Sequence, residues 1–150
     1  MKPLMTTLAV LVVLAALVRA QGAKPDFSGA WIANSQKSDS GPNGPAPAVT
    51  LKITHAEPSL LVVQIVEGVE TAKVPYVVGG AAVPFTANGL AMQGRAAWEG
   101  ESMVTYATSD VGFNMRSKLT LSADGKTLTT NLHIETPQGA FDQNFVFDRQ

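Results

Sequence analysis

The chain is predicted to be an all-β protein, an antiparallel up-and-down meander of about eight strands that closes into a barrel. Three observations predict it. Short segments alternate apolar and polar residues with period 2, turn signals recur roughly every 8–12 residues, and no segment carries a sustained 3.6-residue apolar period. Closure removes the unpaired edges that an open sheet exposes, and a two-sheet β-sandwich is the alternative. At about eight strands a barrel interior is either filled by side chains or holds one small ligand.

The first twenty residues carry Lys2, an apolar run from Leu8 to Val18, and then Val18-Arg19-Ala20. This reads as a secretory signal peptide, residues 1–20, cut after Ala20. The uninterrupted run is shorter than the ~20 residues a membrane-spanning helix requires. No cysteine follows it, so a thioether-linked lipid is excluded. Residues 21–150 are then a single β-barrel domain of about 130 residues, enough to bury roughly two thirds of the unfolded surface. With no cysteine in the sequence, packing and strand pairing must supply the stability. Removing Lys2 and Arg19 from the eleven basic residues leaves nine against twelve acidic ones, without a basic run. Neutralising a phosphate backbone or an anionic membrane needs clustered Lys and Arg, so neither partner is expected.

The elements follow in order. Asp26 to Trp31, D-F-S-G-A-W, opens the domain. Ser35 to Ala48, with Gly41, Pro42, Gly44, Pro45 and Pro47, is a loop longer than common connections, either a lid or a mobile surface link. Val49, Leu51 and Ile53 alternate with Thr50, Lys52 and Thr54 in a half-buried strand. Glu57-Pro58-Ser59 turns the chain into the aliphatic Leu60 to Val66, and Gly68 precedes a short strand, Lys73 to Val78. Gly79-Gly80 to Asn88-Gly89 reads as an irregular connection around Pro84 and Phe85 with a short extended middle. Leu90 to Trp98 and Met103 to Thr108 are strands joined through Glu99 to Ser102, and Ser109 to Gly112 reverses the chain. In Asn114 to Leu121, Met115, Ser117, Leu119 and Leu121 share a face against Arg116, Lys118 and Thr120. Asp124-Gly125 is a strong hairpin signal. Thr127 to Glu135 follows, with Leu128, Leu132 and Ile134 on one face. After Pro137-Gln138-Gly139 the last strand puts Phe141, Phe145 and Phe147 together.

Gly29-Ala30-Trp31 supplies a G-x-W at the start, and Arg149 follows Phe145-Val146-Phe147-Asp148 at the end. This pair resembles the lipocalin and wider calycin pattern, in which a basic residue beyond the last strand packs across the first-strand tryptophan. The resemblance implies a lipocalin-like barrel closed by Gly29, Trp31 and Arg149, with a cation–π energy of roughly 0.5–2 kcal/mol. The middle lipocalin motif is absent: Thr105-Tyr106 and Asp110 offer its ingredients in the wrong order. The chain is also similar to a broad set of small exported bacterial proteins, through F-S-G-A-W at Phe27 to Trp31, Lys37-Ser38-Asp39, and L-S-A-D-G-K-T-L-T at Leu121 to Thr129. That similarity implies no activity.

Signals of catalysis are thin. His55 and His133, the two histidines, lie in or beside strands and in no metal-ligand spacing, so no metal site is expected. No G-x-S-x-G elbow or phosphate-binding glycine loop is present. Glu67 with Glu70, and Glu99 with Glu101, flank turns, where carboxylates are ordinarily solvated. No enzyme activity and no cofactor are expected.

Met92, Trp98, Tyr106 and Phe113, in the middle of the chain, are the candidates for lining a pocket. The expectation is a secreted or periplasmic protein that binds a small hydrophobic ligand inside its barrel, with Ser35 to Ala48 as its gate. The alternative is a non-catalytic envelope module with a filled barrel and an exposed apolar patch around Pro84-Phe85, docking another envelope protein.

Overall fold

The computed structural model describes residues 23–150, so the proposed signal peptide lies outside the described residues. Ten antiparallel strands follow one another around a closed barrel: β1 (Gly29–Ala33), β2 (Val49–Ala56), β3 (Ser59–Val66), β4 (Val69–Val77), β5 (Val83–Ala87), β6 (Leu90–Glu99), β7 (Ser102–Thr108), β8 (Asn114–Leu121), β9 (Thr127–Thr136) and β10 (Gly139–Arg149). Each strand pairs with its sequence neighbours, and β1 pairs with both β2 and β10 to close the ring. The expected number of about eight is corrected to ten.

The undercount has a physical origin in β5. Glycines and Pro84 suggest a loop, yet Val83 to Ala87 pairs through five registers with β6, from Val83↔Gly94 to Ala87↔Leu90. Its other side is thin, with Ala72↔Ala87 the one register with β4. Pro84 has no N–H for that ladder.

The barrel has two unlike ends. At one, Phe27, Trp31, Leu60, Met103 and Leu128 are fully buried and fill the interior. The other end is formed by the turns β3–β4, β5–β6, β7–β8 and β9–β10 and by the long connection after β1.

That connection is held to β10. β1 leaves β10 after Ala33↔Phe147, and the chain beyond takes over the vacated edge. Asp39 and Asn144 exchange both backbone hydrogen bonds at 2.7 Å. The Ser38 hydroxyl accepts from Val146 N at 3.0 Å, and Gln143 Nε2 donates to Ser40 O at 2.8 Å. Gly41, at φ +70°, passes so close that an added Cβ would lie 2.7 Å from Asp142 O. The short 3₁₀ turn Gly41–Asn43 follows.

Candidate functional site: an uncharged cavity inside the barrel

The closed end is built from the opening motif. Gly29 adopts φ +144°, a conformation that favours glycine, and an added Cβ there would lie 2.5 Å from Arg149 Nη1. Trp31 Nε1 donates to Phe27 O at 3.0 Å. The Arg149 guanidinium covers the indole with Cζ 4.2 Å from the ring centroid. It also donates from Nη1 to Ser28 O at 2.7 Å and from Nε to Gly125 O at 2.9 Å. One side chain therefore ties the first strand to the β8–β9 hairpin.

Trp98 belongs to this end. On β6 the residues Leu90, Met92, Gly94, Ala96 and Trp98 share the inward parity, but Trp98 sits lowest, paired with Met103. Its ring packs 5.9 Å from Phe27 and 5.7 Å from His55, centroid to centroid. Its Nε1 donates to Glu57 Oε1 at 2.8 Å. The His55 side chain is 4 % exposed. Its Nδ1 accepts from Phe27 N at 3.3 Å, which places the proton on Nε2 for donation to Glu57 at 3.0 Å. The nearby Asp26 carboxyl is held below its ordinary pKa, first by the Ser28 backbone N–H and then by the Ser28 side chain.

Above this plug lies a cavity of about 540 Å³ that opens toward the opposite end. Met92, Met115, Leu119, Leu132, Phe145 and Phe147 form much of its wall, with Val62 and Val74 facing them. Phe113 stands near the open end and Pro47 of the long connection contributes there too. Gly94 shapes the interior by what it lacks: a Cβ would meet the Tyr76 ring at 2.9 Å and the Phe85 ring at 3.0 Å. Both rings line the cavity.

The structure places the four sequence candidates differently. Met92 and Phe113 line the cavity; Trp98 and Tyr106 do not. Trp98 is part of the plug. Tyr106 faces outward, where it pairs with Arg95 and Arg116 and their guanidiniums lie 4.9 and 6.0 Å from its ring. The filled-barrel reading with an apolar patch at Pro84-Phe85 is likewise corrected. The interior is hollow and Phe85 turns into it.

Among the described residues, no charged side chain and no histidine lines the cavity. Its polar groups are the amides Gln64, Asn88 and Gln143, the hydroxyls Thr71, Ser117 and Thr130, and the phenol of Tyr76. Thr71 owes its place to a register shift opposite Gln64/Ile65, and Gln64 Nε2 donates to its hydroxyl at 3.3 Å. Burial pushes the Tyr76 hydroxyl above its ordinary pKa, opposed by a hydrogen bond with Thr105. A hydroxyl nucleophile needs an adjacent base, and among the described residues no carboxylate or imidazole lines the wall beside Ser117 or Thr130.

The other histidine, His133, lies on the outer face. Its Nδ1 is 2.7 Å from Asp142 and its Nε2 3.6 Å from Glu135, and the bond with Asp142 above all raises its pKa.

The barrel has solved counterparts. Secretory abundant heat soluble protein 4 from Ramazzottius varieornatus superposes with a TM-score of 0.66 at 11% identity, over 87% of this chain and 99% of that one. A fatty acid transporter, REP1-NXSQ, gives 0.64 at 14% identity over 83% and 96%. Lipid binding protein 8 of Caenorhabditis elegans, in its apo form, gives 0.64 at 11% identity over 83% and 95%. At these identities the likeness establishes the fold, a calycin-like barrel. No family model matches the sequence, and no curated protein matches it.

Proposed function

We propose that this protein is a non-catalytic carrier or store that binds a small apolar molecule inside its barrel, and that it acts outside the cytoplasm. The observation that carries the reading is the cavity of about 540 Å³ with its uncharged, mainly aliphatic and aromatic wall. Small-molecule sites ordinarily measure about 300–1,000 Å³ and combine such a wall with a few polar groups. At roughly 30 Å³ per water in the liquid, the space equals about 18 waters, which suits a ligand of roughly 15–20 heavy atoms. Two neighbours in fold are described as a fatty acid transporter and a lipid binding protein, in keeping with the reading. Export is supported by the signal-peptide pattern of residues 1–20.

Entry is at the open end. The strap through Ser38–Gly41 is fixed to β10, while Pro47 beyond it borders the cavity. Val69 and Val111, in the β4 start and the β7–β8 turn, are 64% and 62% exposed there.

A titration with Nile red, an uncharged dye whose emission shifts in apolar surroundings, tests the reading. Saturable binding is expected for the natural protein. Leu132→Trp fills the middle of the cavity and should lower the affinity at least tenfold while the urea midpoint stays high. Absence of dye binding, or equal binding by the variant, would overturn the proposal.

A further inference from the structure

The cavity wall also carries information about the kind of molecule it accepts. We infer, resting on the ligand-binding reading above, that the ligand is electrically neutral, with one hydroxyl, carbonyl or ester oxygen, and that an ionised fatty carboxylate is excluded.

Among the described residues, the wall holds no Lys, Arg or His that could pair with an anion and no Asp or Glu that could pair with a cation. Taking an ionised group out of water without a partner costs far more than apolar burial returns, so a charged headgroup must stay at the mouth or lose its charge. The polar groups that are present are neutral, and three of them, Ser117, Thr130 and Gln143, share one wall. Ser117 on β8, Leu132 on β9 and Gln143 on β10 form a row across three strands, since Ser117↔Leu132 and Gln143↔Leu132 are paired. Thr130 lies one inward step away, paired with Leu119 and Phe145.

Ser117 and Thr130 are 8% and 5% exposed, and both line the cavity. They are diagonal neighbours, a relation that puts Cβ atoms a little under about 7–8 Å apart. A single ligand oxygen between them can meet both hydroxyls. Gln143, which lines the same wall, commits Nε2 to Ser40 O at 2.8 Å. On the facing wall Gln64 Nε2 donates to the Thr71 hydroxyl, which in turn donates to the Gln64 backbone carbonyl, so the Thr71 hydroxyl is already engaged.

The approach to the cavity has the sign that repels anions. The turns and long connection at the open end carry Asp39, Glu67 and Asp110 against Lys37, and Glu70 and Glu135 stand at the adjoining strand ends of β4 and β9. Clustered like charge at a mouth lowers the local concentration of ions of that sign.

The test is competition for bound Nile red by a matched pair, 1-dodecanol below its solubility limit and dodecanoate below its micelle concentration, at about pH 8, where the acid is ionised. Dodecanol is expected to displace the dye at least tenfold more effectively, with the gap closing toward about pH 4 as the free acid forms. Equal displacement by dodecanoate at the higher pH overturns the inference and leaves the binding reading intact. Failure of the protein to take up Nile red at all defeats the binding reading itself. In the double variant Ser117→Ala/Thr130→Val, the dodecanol affinity, read by direct calorimetric titration, should fall about tenfold, the factor that 1.4 kcal/mol represents. An unchanged dodecanol affinity in that variant refutes the role of the two hydroxyls. Should the variant fold poorly, the alcohol–acid comparison on the natural protein still decides the charge question.

Discussion

Replacing Arg149 by Ala should destabilise the barrel without touching the cavity. The side chain makes two hydrogen bonds to carbonyls, at 2.7 and 2.9 Å, and covers the Trp31 ring at 4.2 Å. Hydrogen bonds from a charged donor contribute ~1.5–3 kcal/mol when shielded. Arg149 is an exposed residue, so solvent screening brings each nearer ~0.5–1 kcal/mol. The cation–π contact adds ~0.5–1 kcal/mol at an exposed site. Uncovering the face of Trp31, which is fully buried, costs about 1 kcal/mol for each ~40 Å² of apolar surface returned to water. The total is about 2.5–4 kcal/mol. In urea, with a slope of about 2 kcal/mol per molar, the midpoint should fall by about 1.3–2 M. Arg149→Lys keeps a charge near the ring but cannot bond two carbonyls on opposite sides, and should lose about half as much. Nile red affinity should be unchanged in both variants, because Arg149 does not line the cavity. A loss below ~0.5 kcal/mol for Arg149→Ala, or a lysine variant as stable as the natural protein, would refute the view that this side chain staples β1 to the β8–β9 hairpin.

Further outcomes follow from the interior. Gly94→Val forces Tyr76 and Phe85 out of space they occupy at 2.9 and 3.0 Å from the added Cβ. It should lower ligand affinity and cost about 1–3 kcal/mol of stability, read by dye titration and urea unfolding of one sample; unaltered binding would contradict the placement of those rings. Tyr76 is kept protonated by burial, so its folded-state pKa exceeds its ordinary value of 10.0. The folded state therefore holds its proton where the unfolded chain releases it, and stability must fall as pH rises through about 10 toward the raised value. Comparing urea midpoints of the natural protein and Tyr76→Phe between about pH 8 and 11 isolates this slope. The phenylalanine variant should start about 1 kcal/mol lower, through loss of the Thr105 bond, and then decline less steeply. Parallel declines would count against the buried phenol.

Much of the barrel was readable because alternation survives wherever one face is wet. In β8 the inward set Met115, Ser117, Leu119 and Leu121 stands out against Arg116, Lys118 and Thr120, and the structure keeps that division. Where both faces are shielded the pattern fails. In β7, Met103, Val104 and Thr105 are all buried, so the sequence gives Tyr106 no side, and only its pairing with Arg95 and Arg116 places it outside. Trp98 has the expected inward direction, but depth along the barrel depends on register across ten strands, which composition does not encode. β5 was hidden by Pro84 and its flanking glycines.

The polar lining was missed although it left a signal. Ser117, Thr130 and Gln143 each interrupt an otherwise apolar face in three successive strands, between Met115 and Leu119, Leu128 and Leu132, and Phe141 and Phe145. Residues of that kind on an inward face mark either a buried hydrogen-bond network or a cavity that wants one. Tyr76 gave less away, since Pro75 and Val77 beside it resemble the edge of a turn.

The central claim, that the barrel is hollow in order to hold an apolar molecule, is tested most directly by native mass spectrometry of the full chain produced in cells and purified without detergent, before and after delipidation. A reproducible mass excess that disappears on denaturation, and a delipidated form that regains one equivalent of dodecanol, is the expected result. A bare polypeptide mass that never acquires a small molecule, even with excess dodecanol, would contradict it.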